Sequence, residues 1–379
     1  MIAPGSWLGM LGGGQLGRFF TQAAQSLGYR VLVLDPDADS PAGRSADRHL
    51  CAAYDDAAAL KTMAAQCAAV TTEFEGVPAA SLARLAIACR VAPGAEAVAV
   101  AQDRIAEKAL LESVVGVVPY AVIRSAEDCL RAPSALFPAI LKTARLGYDG
   151  RGQVRVADAA AAATAFVRLG GVPCVLEQRV ELARELSVVL ARDFDGATAA
   201  YPVAENRHAE GILDVSIAPA RVPAALARAA REAAETVARA LDYTGVFCLE
   251  LFELADGRLL ANEIAPRPHN SGHWTLDAAF HSQFEQQVRV LVGLPLADTR
   301  QRAPAVMVNL LGDLWRDGEP RWEGLLADAK TQLWLYGKSA ARPGRKMGHF
   351  TCVDDDVEAA LERARRLRRA LAPSIACAA

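Results

Sequence analysis

Two glutamates lie on either side of a turn signal in the segment GVFCLELFELADGRLLANEIAPR. Asp256–Gly257 separates two apolar runs, and Asp-Gly is a strong two-residue hairpin signal. If Ala255 stands opposite Arg258, then Leu254 faces Leu259, Phe252 faces Ala261 and Glu250 faces Glu263. Residues opposed in this way have Cβ atoms roughly 4.5–5.5 Å apart, so two carboxylates share one sheet face. Like charges at that spacing need cancelling. Magnesium suits the position, because it takes one or two carboxylates and completes its shell with water and substrate phosphates. The predicted chemistry is metal-assisted work on a phosphate. Simple alternation sends Asn262 to the other face, unless a bend near the strand end brings it round. A solvated face carrying two glutamates is the competing reading, and the apolar neighbours Val246, Cys248 and Phe252 count against it.

Four other groupings carry chemistry. Lys142 ends the apolar run AILK, and Gly147, Gly150 and Gly152 follow it. Glycines let backbone N–H groups approach an anion, and a lysine beside them can neutralise phosphate charge. The spacing is not that of a Walker loop, and alone it reads equally well as an ordinary hairpin loop. Gly12-x-Gly14-x-x-Gly17, with Asp35 closing the next strand, matches the dinucleotide fingerprint and supports an NAD-dependent oxidoreductase as the alternative. GKSAARPGRKMGH gathers Lys338, Arg342, Arg345, Lys346 and His349 around a Pro-Gly turn, which suits a phosphate monoester or merely a solvated basic loop. APRPHNSGHW places Arg267, His269, Asn270, Ser271 and His273 directly after the carboxylate hairpin, a concentration of anion-binding groups beside the proposed metal.

The elements needed to position these groups can be read from periodicity. Ser6–Leu11, Arg30–Leu34 and 69–72 are apolar strands separated by helical stretches at 15–27, 57–67 and 78–88, which implies a parallel sheet. A second unit from about Ala101 opens on a helix over 103–113. Strands follow at 139–142, 153–156, 174–178, 185–191, 199–203 and 215–218, then a long helix over 224–241 and the hairpin. A third unit has short strands at 305–310, 330–335 and 349–353 and a closing helix over 357–371. At 379 residues, two or three domains are expected. The formal charge of −3 points away from nucleic acid and acidic membrane surfaces. No uncharged apolar run reaches the length of a membrane span, and no secretory leader is evident, so a cytoplasmic protein is expected. None of the eight cysteines forms a C-x-x-C pair, which favours reduced, buried thiols over a zinc site.

Together these motifs resemble the ATP-grasp superfamily and, within it, the N5-carboxyaminoimidazole ribonucleotide synthase family. The resemblance spans nearly the whole chain through GGGQLGR, TTEFEGVP, DRIAEK, GYDGRGQ, EQRVELARELSV, NRHAEGIL, NEIAPRPHNSGHW and RPGRKMGH. It implies a mixed α/β architecture: a Rossmann-like unit over 1–100, an ATP-grasp domain over 101–295 and a small β-rich unit over 296–379. It also implies ATP and magnesium (or manganese) as cofactors, bicarbonate and aminoimidazole ribonucleotide as substrates, and a homodimer. ATP would be met by Arg104 and Lys142, by the covering loop Gly147, Tyr148, Asp149, Gly150, Arg151, Gly152 and Gln153, and by the hinge Glu177, Gln178, Arg179 and Val180. Glu185, His208, Asn262 and Glu263 complete that set, with Glu250 as the second metal carboxylate. Bicarbonate would be held by Arg267, His269 and Asn270. The ribonucleotide would be met by Gln15, Glu73, Asp149, Lys338, Arg345 and Lys346. Within the superfamily, the formate-using glycinamide ribonucleotide transformylases are the nearest alternative.

Overall fold

The computed structural model describes residues 1–145, 147 and 152–371. Its first sheet is parallel, in the order Arg48–Leu50, Arg30–Leu34, Trp7–Leu11, Ala69–Thr72, Arg90–Val91. The central strands are apolar at nearly every position because both faces are covered. The helix Gln15–Ser26 starts at the glycine turn, and Asp56 caps Ala57–Gln66 by accepting from Ala58 and Ala59 N–H.

A four-stranded antiparallel sheet follows, in the order Tyr120–Ile123, Cys174–Gln178, Ala139–Thr143, Gln153–Val156. Two helices cover it, Ala126–Arg131 and the alanine-rich Ala159–Arg168. The third sheet is the largest. It runs Leu259–Ala265, Gly245–Leu254, Leu182–Arg192, Ala204–Ala209, Ile212–Ala218, Ala305–Leu311, Lys346–Val353, Thr331–Leu335, with Thr198–Ala200 paired to Leu182–Arg192. The C-terminal strands therefore continue the central sheet, joined where Val215–Ala218 pair with Val308–Ala305. The helix Ala224–Ala240 packs on one face of this sheet, and Val357–Leu371 packs over its C-terminal part.

Several short elements escape the pattern-based reading, among them the strands Arg48–Leu50 and Tyr120–Ile123 and the helices Ala95–Ala101 and Ala126–Arg131, and two further differences bear on the site. Ala204–Ala209 (AENRHA) is a strand of the large sheet, although its polar sequence lacks alternation. Its Glu205, Asn206 and His208 find partners there instead of solvent. Gln283–Val292 is a helix rather than a connecting segment, and it ends at Gly293 with φ +77°. It packs Val288, Leu291 and Val292 into the core of the first sheet. The two units are thereby pinned together, and Phe19 marks the junction. Its ring lies 5.0 Å from Phe284, 5.5 Å from His273, 5.4 Å from Trp334 and 6.0 Å from His349.

Candidate active site

The carboxylate hairpin closes differently from the expected two-residue turn. Its loop is Ala255–Gly257, with Gly257 at φ +83° and Leu254 N–H donating to Arg258 C=O at 2.9 Å. Next to the loop the pairing is one residue out of the expected register: Glu253 faces Leu259, and Leu251 faces Ala261. A β-bulge then corrects it, and Leu249 faces Ile264 as expected. The bulged pair is Asn262–Glu263, opposite Glu250. Ala261 and Ile264, three residues apart, both pack in the core with Leu249 and Leu251. Asn262 and Glu263 therefore both turn to the face of Glu250. The bend that Asn262 required is this bulge.

Each carboxylate has a cationic partner. Glu250 Oε1 lies 3.0 Å from His269 Nε2. Glu263 Oε2 accepts from Arg104 Nη1 at 3.1 Å. Among the described residues, no cluster of three or more His, Cys, Asp or Glu forms a ready-made metal cage. The donor set suits a magnesium ion that keeps substrate and water oxygens. Asn262 Oδ1 agrees, being a buried oxygen that has no hydrogen-bond partner among the described residues and sits in the bulge opposite Glu250.

Burial alone would raise the Glu250 carboxyl, but His269, with His208 and Lys346 behind it, holds it at about 2. Burial likewise opposes charge on the His269 ring, yet Cys248 and Glu250 carry it up to about 10. The Glu250 contribution to stability is present above its usual 4.5 and lost as pH falls towards 2. The His269 contribution is complete below its usual 6.5 and lost as pH rises through about 10. The Glu250–His269 contact is common to both, and Cys248 adds to the shift of His269. Wild type should exceed Glu250→Gln in melting temperature most between pH 4.5 and 6.5, with the gap narrowing towards pH 10. A gap that is flat from pH 5 to 10 would show that the pair does not titrate in this way.

The His269 segment is fixed from several sides. Ser271 Oγ lies 2.7 Å from His269 Nδ1. Gln283, fully buried, accepts from His269 N–H at 2.9 Å and donates to its C=O at 2.7 Å. Asn270, expected to hold an anion, instead exchanges hydrogen bonds with Asn309 at 3.1 and 2.7 Å. A buried amide paired this way ties the segment to Ala305–Leu311. Arg267 stays buried beside the site, with Glu75 Oε1 2.6 Å from Nη2.

The expected nucleotide groups meet on the other side of the hairpin. Lys142 Nζ donates to Glu177 Oε2 at 2.7 Å, and Lys108 Nζ lies 3.4 Å from the other oxygen. Burial would raise the Glu177 carboxyl, but Lys142 and Lys108 hold it below its usual range. Gln178, Arg179, Val180 and Glu181 line one side of an open pocket of about 350 Å³ whose other side is Leu254, Ala255, Asp256 and Arg258 of the hairpin tip. Glu185 is hydrogen-bonded to His208, whose ring also feels Glu250 and His269. Gly152 sits at φ +71°, its C=O accepting from Thr143 N–H at 2.9 Å, and Gln153 pairs with Lys142. Gly147 is described as irregular backbone. Tyr148, Asp149, Gly150 and Arg151 lie outside the described residues.

The glycine turn of the first unit is already filled. Glu73 accepts from Gly17 N–H at 2.6 Å and from Gly14 N–H, and Asp35 accepts from Gly13 N–H at 2.6 Å. A dinucleotide pyrophosphate would need those same donors. The oxidoreductase reading fails for that reason. Glu73, expected at the ribonucleotide, also holds this turn. Burial pushes its carboxyl up, while the backbone donors and Lys338 oppose.

Lys338 thus reaches the first unit from the basic loop. Its Nζ donates to Lys346 C=O at 2.7 Å and lies 5.5 Å from the Tyr336 ring centre. Arg345 Nη1 donates to Ala340 C=O at 2.9 Å. Gln15 begins its helix half-buried beside the turn. Arg18 and Arg44, given no role from the sequence, anchor the loop by donating to Leu335 and Gly337 C=O. Glu107, Lys108, Gln283 and Asn309 were also missed. For the first two a signal existed, since they follow Arg104 at i+3 and i+4 and share its helix face. Nothing in the sequence marks Gln283 or Asn309.

A two-part nucleotide clamp with a carboxylate hairpin between its halves defines an ATP-grasp enzyme, and the comparisons agree. The chain matches the ATP-grasp domain family over residues 108–284, the ribonucleotide synthetase preATP-grasp domain over 6–102 and the phosphoribosylaminoimidazole carboxylase C-terminal domain over 305–363. It is 47% identical to the N5-carboxyaminoimidazole ribonucleotide synthase of Brucella melitensis, across 93% of this chain and 97% of that one. The Bacillus subtilis enzyme of the same name is 41% identical over 93% and 92%. A solved ADP complex of an N5-carboxyaminoimidazole ribonucleotide synthetase superposes with a TM-score of 0.90 at 39% identity, covering 97% of both chains. The Aspergillus clavatus synthase, solved with ADP and 5-aminoimidazole ribonucleotide, gives 0.88 at 30% identity over 97% and 98%. The chain belongs to the N5-carboxyaminoimidazole ribonucleotide synthase family. It is an ATP-dependent ligase that forms a carbon–nitrogen bond, carboxylating aminoimidazole ribonucleotide in purine biosynthesis. No helix among the described residues is long and apolar enough to cross a membrane.

Proposed function

We propose that the chain phosphorylates bicarbonate with ATP, releasing ADP, and passes the carboxyl carbon of the resulting carboxyphosphate to the exocyclic amine of aminoimidazole ribonucleotide, with inorganic phosphate leaving as the C–N bond forms and the amine giving up a proton. The observation that carries this reading is the contact of His269 with Glu250, which sets an anion-binding segment against the carboxylate hairpin. Glu250 and Glu263, with Asn262 Oδ1, would hold magnesium, whose charge offsets that developing on the transferred phosphoryl group. Lys142 would leave Glu177 for the ATP phosphates, and Arg104 would do the same from Glu263. Arg267 and His269 would orient bicarbonate, since in-line transfer depends on that alignment. Adenine would sit against the hinge pocket at 178–181. Lys338, Arg345 and Lys346 would hold the ribonucleotide phosphate beside the first unit, with Gln15 at its edge. A homodimer acting in the cytoplasm is the setting we assign to it.

The test is ADP release with one substrate withheld at a time. ADP formation should need bicarbonate, and stable product should need the ribonucleotide as well. ADP released equally well with formate in place of bicarbonate would overturn the choice of acceptor. Lys338→Ala should raise KM for the ribonucleotide by roughly 30-fold or more, the scale of one charge-assisted phosphate contact, and leave KM for ATP within about threefold. Equal rises in both KM values would remove Lys338 from the ribonucleotide site.

A further inference from the structure

The strand Leu259–Ala265 is an edge of the large sheet, so among the described residues only an isolated bridge from Val117 to Ala261 runs beside one row of its peptide groups. Buried N–H and C=O groups need partners. Ala261 N–H donates to Gly116 C=O at 2.7 Å. Lys108 Nζ donates to Asn262 C=O at 2.9 Å, and Ile264 N–H donates to Glu107 Oε1 at 2.6 Å. The last two contacts bracket the bulged pair Asn262–Glu263. Both side chains come from one turn of the helix Arg104–Val114, and both are buried, Lys108 at 0% exposure and Glu107 at 3%.

The alternative to a bulge is the plain ladder begun near the loop. It would pair Glu250 with Asn262 and Leu249 with Glu263. Glu263 would then share the face of Leu249, in the apolar core beneath the helix Ala224–Ala240. Its peptide groups would change sides too. From Ala261 onwards, alternation would point the groups of Glu263 outwards, and turn Asn262 C=O and Ile264 N–H inwards. The donor Lys108 and the acceptor Glu107 match only the bulged arrangement.

We infer that Glu107 and Lys108 are positioning residues that hold the carboxylate hairpin in its bulged register and so keep Asn262 and Glu263 on the Glu250 face. The functional consequence rests on the magnesium role proposed for Glu250 and Glu263. The register itself does not.

Two measurements test this on the full chain: hydrogen–deuterium exchange across 259–265, and calorimetric ADP binding with and without magnesium. In Glu107→Leu, exchange at Ile264 should rise by about tenfold or more, the scale of a lost hydrogen bond to a charged group. The gain in ADP affinity that magnesium brings should shrink by a similar factor, while magnesium-free ADP affinity stays within about threefold. Glu107→Gln retains an acceptor for Ile264 N–H and should behave as wild type. If Glu107→Leu does not fold, Lys108→Met carries the exchange comparison alone, through Asn262 C=O, because its contact with Glu177 ties Lys108 to the nucleotide side as well. Unchanged exchange at 262–264 in the leucine or methionine variant overturns the inference. Glu263→Gln run in parallel separates the two claims: if it keeps the magnesium gain, the metal assignment falls, and the exchange result still decides the register.

Discussion

Glu263→Gln should lower bicarbonate-dependent ADP formation by roughly 100- to 1,000-fold, the usual loss when one charge-stabilising group leaves a preorganised site. The substitution keeps the shape and removes the charge. Folding should survive it. The Glu263 side chain is 40% exposed and its partner Arg104 is a single contact at 3.1 Å, so the ion pair contributes at most about 1 kcal/mol. A large loss of rate with a nearly unchanged melting curve is therefore expected. Titrating magnesium sharpens the test, because a weakened ligand set should demand more metal for half-maximal rate. A rate within a few-fold of wild type at all magnesium concentrations would exclude Glu263 as a ligand.

Lys142→Met should damage both stability and activity, and the two effects can be separated. Lys142, Lys108 and Glu177 form a buried triad, with the Lys142 contact at 2.7 Å. Removing one partner of a buried pair costs about 3–5 kcal/mol when the remaining charge is stranded. Here Lys108 stays beside Glu177, so the lower end of that range is the expectation. Loss of the phosphate cation should add a fall of roughly 100-fold or more in kcat/KM for ATP. Assayed well below the variant's melting transition, kcat/KM reports the phosphate contact alone, because Lys108 still pairs with Glu177 and keeps the fold. A kcat/KM within a few-fold of wild type beside a lowered melting temperature would mean that Lys142 serves the fold and not ATP.

The missed elements have physical causes. The strand Ala204–Ala209 is polar because its side chains find partners in and beside the sheet, Asn206 donating to Ser187 at 2.8 Å and Glu205 accepting from Arg221 in the connection that follows Ile212–Ala218. Hydrophobic alternation cannot reveal a strand stabilised that way. The helix Gln283–Val292 carries three buried glutamines, Gln283, Gln286 and Gln287, which read as solvent-facing until their partners are known. Gln287 reaches Thr71 Oγ1 in the first sheet at 3.0 Å, and no pattern within either segment records that.

The two glutamates mark the boundary between what sequence and tertiary structure decide. Sequence alone determined that a hairpin exists, that Glu250 and Glu263 belong to its two strands, and that a cation-rich segment follows it. Those features depend on local turn chemistry and on residue type, both of which are written in order along the chain. The same holds for the parallel strands of the first unit and for the family resemblance. Tertiary structure decided the register. The loop takes three residues instead of two, and a bulge restores the pairing because Glu107 and Lys108, more than 150 positions away, satisfy the edge on either side of it. It also decided that Asn270 is tied to Asn309, and that the glycine turn holds Glu73 and Asp35 in place of a pyrophosphate. In each case the outcome depends on which distant group reaches a buried donor or acceptor first, and only the folded chain fixes that.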